Sequence, residues 1–446
     1  MIQRTLALLL ALALAACSGG DNPTIEPPNT DDPPAEVTAW LKANAIPFNT
    51  PQAGNGFADL QKVKALVGDA RVVSLGEATH GTREFFEMKH RMFEFLVREM
   101  GFTVFAIESE WAEAARLNHW VQTGEGDPHK LLTGLYFWTW RTQEVMDLIQ
   151  WMRAYNADPA NVKKVSFVGV DMQFPTLAMD TTVAFLRRAD PAMATTAEER
   201  YACLRPYSNN TKGASPTPYT SAGPAAQLEC AQKVRQVHDE IAANSARLAA
   251  ATSPAEYAFS LQAARLVVQG EDGKAGRTSA GRDLFMAENA AWWLEQFGPG
   301  AKMVIWAHNG HVATEQGWMG YHLRGKFGAA MRVFGFSFYQ GSFTAVNLDG
   351  GPFGTYSFGP APPRSYEAWF HSAGIPRFIL DLRLVQGDPA AGWLNGPLIT
   401  RQVGCCHRPS IANWGIRLNA SLPAAYDAII FFENTTASQT LPVKWE

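Results

Sequence analysis

The chain has 446 residues, 47% of them apolar and 18% charged, with a formal net charge of −4 at neutral pH. That is ample apolar material for a large core. So slight an acidic balance, with no Lys/Arg run and no basic aromatic stripe, gives nucleic-acid binding no electrostatic support.

Met1-Ile-Gln-Arg4 leads into an unbroken apolar stretch from Leu6 to Ala16, followed by Cys17. A charged start, a short apolar core and small residues before the cut have the form of a secretory signal. The stretch is shorter than the ~20 residues a spanning helix needs. Leu14-Ala15-Ala16-Cys17 also resembles the bacterial lipobox. Residues 1–16 are therefore expected to be removed and Cys17 lipidated, with ordinary cleavage nearby as the alternative. Ser18 does not resemble an inner-membrane retention signal, which favours the outer membrane, on its periplasmic or surface side, with the lipid as the sole membrane contact. Residues 17–36, anchor cysteine included, are rich in Pro, Asp, Asn and Thr and read as a tether that cannot bury enough surface to order itself.

From residue 37 the pattern changes. Short β-branched and aromatic runs at 71–75, 103–107, 165–170, 302–306, 332–337, 377–380 and 428–432 are separated by long amphipathic stretches. Continuous apolar runs without strict alternation suit parallel strands covered on both faces. The expectation is an α/β fold: a mostly parallel sheet with flanking helices. Between the first two runs, Thr82 can cap a helix carrying Phe85, Met88, Met92, Leu96 and Met100 at helical spacing. From Pro175 to Gly298 the strand pattern vanishes, and helical stretches surround a Ser/Pro/Gly/Asn-rich loop near 207–224. This predicts a helical insertion over 175–298 between two parts of a catalytic core, 37–174 and 299–446. An insertion after a strand end would sit as a lid over the carboxyl edge of the sheet, where α/β proteins place ligands.

With Cys17 set aside, Cys203, Cys230, Cys405 and Cys406 remain, an even number suited to an oxidising compartment. Cys203 and Cys230 are the preferred pair, since both lie in one polar stretch. Cys405 and Cys406 are adjacent and could join each other only through a strained ring. None of the four has the CxxC spacing of a zinc site.

The densest chemical pattern is Leu75-Gly-Glu-Ala-Thr-His-Gly-Thr82, directly after a strand and directly before a helix. The glycines permit a sharp turn, and Glu77 and His80 sit on the loop rather than on a packing face. The next strand ends at Glu108, and a later one runs into Trp306-Ala-His-Asn-Gly-His311. If these strands are parallel, Glu77, His80, Glu108, His308 and His311 gather at one sheet edge. A lone carboxylate there is more often a cap and a lone loop histidine a bystander, but five together have no packing reason, and buried charge is costly unless used or paired. His90, His119, His129, His238, His322, His371 and His407 belong to no such pattern. Trp138, Trp140, Trp292 and Trp293 read mainly as core.

In chain order, Gly76-Glu-Ala-Thr-His-Gly81, Ile107-Glu108, Trp140-Arg-Thr-Gln-Glu144 with Trp151-Met-Arg153, Gly169-Val-Asp-Met-Gln173, Arg282-Asp with Met286-Ala-Glu-Asn289, and His308-Asn-Gly-His311 resemble the motifs of the erythromycin esterase family over roughly residues 38–440. The resemblance puts the family's general-base histidine on His80, its partner glutamates on Glu77 and Glu108, and its later histidine pair on His308 and His311. It puts a basic residue, arginine in other members, on Lys89. Lysine keeps the charge but loses the bidentate fork, so substrate contact and an ordinary solvated helix position both stay open. Asp171, Gln173, Arg282 and Asn289 resemble substrate-binding positions lining the same cleft, although each could equally be a cap or helix-end partner.

No Gly-x-Ser-x-Gly elbow and no catalytic-cysteine context occurs, so an acyl-enzyme lacks a nucleophile. The expected reaction is direct attack of water on an ester or lactone. His80 takes the proton, its unperturbed pKa of about 6.5 being suited to the task, and His308 or His311, with Lys89, serves the oxyanion or the leaving alkoxide. The expected partner is a small ester or lactone, macrolides being the name-giving substrates that the resemblance implies, hydrolysed by a monomer without cofactor or metal. Three alternatives remain: a metal-dependent hydrolase on the same Glu/His set, against which stands the lack of HExxH spacing; a haem- or ligand-binding lipoprotein without turnover; and a role in exopolysaccharide metabolism, by which some relatives of the family are labelled.

Overall fold

The computed structural model describes residues 32–208, 217–277, 281–411, 414–419 and 421–444. The segment read as signal peptide, together with Cys17 and most of the tether, lies outside the described residues. A helix, Ala35–Asn44, already begins within the last residues read as tether.

All seven apolar runs are strands. They are β2 (Val72–Leu75), β3 (Val104–Glu110), β4 (Ser166–Asp171), β5 (Met303–Trp306), β6 (Met331–Asn347), β8 (Arg377–Asp381) and β12 (Ala428–Thr435). Shorter strands accompany them: β1 (Ile46–Pro47), β7 (Gly354–Phe358), β9 (Leu398–Arg401), β10 (Cys406–His407) and β11 (Ile416–Asn419). The main sheet runs β1-β8-β12-β6-β2-β5-β3-β4, with β7 and β10 also pairing with β6, while β9 and β11 form a separate pair. From β12 to β4 every neighbour is parallel. β8 departs from the parallel expectation and runs antiparallel to β12, because an apolar run covered on both faces reads the same in either direction.

Burial on both faces is visible within single strands. On β3, Val104 and Ala106 join one apolar core while Phe105 and Ile107 join the other. One core receives Phe85, Met88, Met92 and Leu96 of the helix Arg83–Met100. The other receives the helices Thr176–Ala189, Pro191–Tyr201, Pro224–Ala243, Pro254–Ala275 and Gly281–Gln296. The strand-free stretch is thus helical, and it packs against a face of the sheet. To the carboxyl edge it brings the first turn of Gly281–Gln296 and the second half of Pro254–Ala275, where Gly270 packs on Met172 and Lys274 stands over the Phe174 ring.

Thr82 sits at the N-cap of Arg83–Met100 without capping it. Its hydroxyl pairs instead with that of Thr79 at 2.5 Å, which ties the two ends of the preceding loop together. Cys203 and Cys230 are joined, with Cα atoms 5.6 Å apart. Cys405 and Cys406, whose state the sequence left open, are joined to each other.

Candidate active site

β2 and β3 are parallel but not neighbours, because β5 lies between them. All three strands point the same way, so the loops after Leu75 and Trp306 and the last residues of β3, Glu108 among them, lie at one edge. Two glycines let the first loop approach its surroundings. A Cβ on Gly76 would lie 2.1 Å from Asn309 Oδ1, and one on Gly81 would lie 2.1 Å from the Thr344 carbonyl oxygen. Asn309 in turn binds β6 through both ends of its amide, donating to Phe336 O at 2.8 Å and accepting from Phe336 N at 3.0 Å.

Glu77 is fully buried. Its Oε1 accepts the Nδ1–H of His80 at 2.5 Å, and its Oε2 accepts the Trp306 indole N–H at 2.7 Å and the ammonium of Lys89. With Nδ1 committed as donor, the free lone pair of His80 is on Nε2. His80 also donates its backbone N–H to Gly404 O at 3.0 Å, and its side chain keeps 12% of its surface exposed.

Lys89 is as buried as the carboxylate it serves and lies 4.3 Å from the Trp306 ring centroid. Burial pushes its ammonium down to about 8, against the pull of Glu77. Neither substrate contact nor a solvated helix position describes it: Lys89 is the counter-ion beneath Glu77.

Glu108 anchors the second half of the site. Its Oε2 accepts the backbone N–H of His308 at 2.9 Å and its Oε1 accepts Arg282 Nη2–H at 2.7 Å. His311 Nε2 lies 3.3 Å from the same Oε1. Burial would raise the carboxyl of Glu108, but His311, Arg282 and His80 outweigh it and hold Glu108 well below the usual carboxylate range. Arg282 is clamped on its other side by Asp171, through Nε at 3.0 Å and Nη2 at 2.6 Å. Gln173 Nε2 donates to Asp171 at 2.8 Å.

His311 stands between two acids, its Nδ1 2.7 Å from Asp283 Oδ1. Burial disfavours its charge, yet Glu108 and Asp283 overcome that and raise its pKa above the ordinary imidazole value. His311 is therefore the ring whose charged form the site favours, against the opposing charge of Arg282, whose Nη1 lies 3.0 Å from His311 Nε2. His308 is its opposite: burial first, then repulsion from His80 and His311, push it well below the ordinary value. Its Nδ1 accepts the Gly310 N–H at 3.2 Å, so the proton of the neutral ring rides on Nε2. That buried Nε2 makes no well-formed hydrogen bond, and the nearby Ala78 carbonyl offsets only part of the downward shift. The His80 and His308 rings are 5.1 Å apart and those of His308 and His311 6.5 Å apart.

Of the sequence-derived residues, Glu77, His80, Glu108, His308 and His311 converge, with Asp171, Gln173 and Arg282 directly behind them. Asn289 does not. Its Nδ2 donates to Val170 O at 2.9 Å and its Oδ1 accepts from Gln262 at 2.8 Å, in the interior, so it satisfies a strand carbonyl instead of lining a cleft. Two participants were passed over: Asp283, adjacent to Arg282 at the start of a helix, and Trp306, which the run of β5 hid as a core residue. A groove of about 410 Å³ between the helices Pro254–Ala275, Gly281–Gln296 and Met319–Phe327, lined by Trp292 and His322 among others, contains none of the site residues.

The chain is similar to proteins of known name. It is 32% identical over 136 residues to the type II erythromycin esterase of Escherichia coli, a match spanning 30% of this chain and 31% of that protein. It is 22% identical over 436 residues to the putative hydrolase YbfO of Bacillus subtilis, spanning 90% and 91% of the two. A Bacillus cereus protein of solved structure superposes with a TM-score of 0.81 at 29% identity, covering 93% of this chain and all of that one. A succinoglycan biosynthesis protein does so with 0.77 at 25% identity, covering 92% and 98%. A mutant erythromycin esterase in its open conformation, at 17% identity and a TM-score of 0.66, covers 87% and 96% and shares the fold. The erythromycin esterase family model matches residues 97–435, three quarters of the sequence, and the chain belongs to that family.

Proposed function

We propose that this protein is a hydrolase that cleaves a carboxylic ester or lactone by direct attack of water. The observation that carries the reading is the presence of two imidazoles of opposite readiness at one sheet edge. His80 is oriented by Glu77 to offer a free Nε2 lone pair, and His311 lies between Asp283 and Glu108, which favour its charged form. A base and an acid set apart by their surroundings are what ester hydrolysis requires.

In this mechanism, His80 Nε2 takes a proton from water as it adds to the carbonyl. The His308 Nε2–H, desolvated and without a good partner, stabilises the developing oxyanion. His311 passes a proton toward the departing alkoxide, directly or through a water, and Glu108 stabilises the charge that moves. Arg282 and Asp171 fix Glu108 in place. Lys89 pairs with Glu77 in an apolar pocket, where an unpartnered carboxylate would be costly.

Export and lipid anchoring through Cys17 belong to the same proposal, as does a division into core 37–174, helical insertion 175–298 and core 299–446. The deciding experiment incubates purified protein with macrolides and with simple esters and lactones, following acid release. Turnover of any of them supports the reading, and no release from any class rejects it.

A further inference from the structure

The chain carries a second disulfide whose presence chain stability does not explain. A cross-link stabilises chiefly by closing a loop in the unfolded chain, and the effect grows with loop length. Cys203–Cys230 closes a separation of 27 residues, whereas Cys405–Cys406 closes a separation of one. The ring of adjacent cysteines removes almost no chain entropy beyond its own two residues.

Its position is more telling. The residues just before it lie along the loop that carries Glu77 and His80. Ala78 O accepts from Val403 N at 2.7 Å and from Gly404 N at 3.2 Å, and Gly404 O accepts from His80 N at 3.0 Å. Thr79 and Gly404 form a parallel bridge. Gly404 has φ +70°, and a Cβ built on it would lie 3.9 Å from His308 Nε2. Past Gly404 the chain is held on its other side, where Val346 N donates to Cys405 O at 3.1 Å and the Trp414 indole donates to Cys406 O at 2.8 Å. The ring is therefore the joint between the strand pairing on β6 and the backbone that sets the height of His80.

We propose that Cys405–Cys406 is a reducible site, taking a dithiol as its reactant, and that its redox state sets the order of the His80 loop. Cys405 is half-buried and Cys406 buried, so an external thiolate enters at Cys405 Sγ. The Sγ–Sγ bond breaks, and Cys406 departs as a thiolate that takes a proton. The second thiol of the reagent then attacks the first reagent sulfur, and Cys405 leaves as a thiolate that takes a proton. The protein gains two electrons and two protons, and the dithiol becomes a disulfide. Once the ring opens, residues 405 and 406 recover their backbone freedom, and the hydrogen bonds of Gly404 to Ala78 and His80 lose the constraint behind them.

The test needs no substrate, so its outcome is separable from that of the hydrolase reading. The full chain, isolated oxidised, is treated with a thioredoxin-type dithiol or with dithiothreitol. Thiols are counted by alkylation and mass spectrometry, and amide hydrogen exchange is followed in peptides covering 77–82 and 402–407. Reduction of the adjacent pair is expected to speed exchange in both peptides by on the order of tenfold, leaving β2 and β5 unchanged. Cys405→Ser/Cys406→Ser should exchange fast without reductant and ignore it. Cys203→Ser/Cys230→Ser should still respond. The proposal is overturned if the pair arrives as free thiols from an oxidising compartment, or if exchange in the two peptides is the same in both states.

Discussion

The Glu77 carboxylate accepts the Nδ1–H of His80 at 2.5 Å from a position with no exposed surface, so the imidazole that faces solvent at the sheet edge has its tautomer fixed from below. His80→Asn should keep the fold, since it leaves the buried Glu77–Lys89 pair beneath the loop intact. It should lower kcat/KM by the ~10²–10⁴-fold that proton abstraction contributes. Glu77→Gln acts through the same step, so the double variant should lose much less than the product of the singles. Kinetics of the three proteins beside their melting temperatures decide it; simple multiplication of the losses would remove His80 as the base.

Lys89 makes the complementary prediction for stability. It is fully buried against Glu77, and removing one partner of a buried pair strands the other charge. Lys89→Met should destabilise the fold by about 3–5 kcal/mol, read from urea denaturation, whereas Lys89→Met with Glu77→Gln should recover much of the loss. A Lys89→Met protein as stable as the parent would show that the pair is not a structural ion pair.

The sequence carried the strand set, because parallel strands buried on both faces leave unbroken apolar runs, and it carried the convergence of Glu77, Glu108 and His308, because each follows such a run. Strand order and direction were not legible: nothing in the runs says that β5 sits between β2 and β3, or that β8 runs against β12. The misread residues share one cause. Lys89, Asn289 and Trp306 each have a polar group whose partner is distant in sequence, Glu77 for Lys89 and Trp306 and Val170 O for Asn289. Local pattern assigns such side chains to solvent, cleft or core, and only the fold supplies the partner. Asp283 escaped notice for the same reason, since its histidine lies 28 residues away.

Direct attack by water predicts that serine-directed fluorophosphonates leave turnover intact. Ser74 and Ser109, on β2 and β3, are fully buried, and neither hydroxyl makes a hydrogen bond, so no base activates them. Mass spectrometry after prolonged incubation should show unmodified protein, and a stable adduct on any serine would establish an acyl-enzyme. Extensive chelation should likewise leave activity intact, with loss under EDTA and recovery on adding zinc or manganese pointing to a metal.

His90 gives a pH dependence of stability. Burial alone pushes it down to about 4 from an ordinary 6.5, and its buried Nε2 has no hydrogen-bond partner. The folded state thus refuses a proton that the unfolded state accepts. The stability this residue contributes is complete above pH 6.5, declines as pH falls toward 4, and changes no further below that. His90→Phe, beside Trp151 and in an apolar site, should therefore lose less stability than the parent between pH 6.5 and 4. Parallel melting curves across that range should diverge; curves that stay parallel would mean that His90 takes up its proton in the fold.

Asp283 should govern the alkaline limb of catalysis. His311 acts as an acid only while charged, and its charge is favoured by Glu108 and Asp283 against the cost of burial. A raised pKa keeps the imidazolium to higher pH, so activity should fall as pH rises through that raised value. Asp283→Asn removes one of the two carboxylates while leaving an amide able to accept at the same place, so the pKa of His311 should drop and the alkaline limb of kcat should move to lower pH. At a pH above the new limb the variant is slowed; well below it, where His311 is charged in both proteins, the difference should narrow to the cost of looser positioning. A merely structural role for Asp283 would lower activity evenly or lower the melting temperature without moving the limb. The profile of kcat from pH 5 to 10 for the parent, Asp283→Asn and Asp283→Glu separates the two, since glutamate restores the charge and should return the limb toward its original pH. If the limb stays fixed in all three, His311 is not the acid.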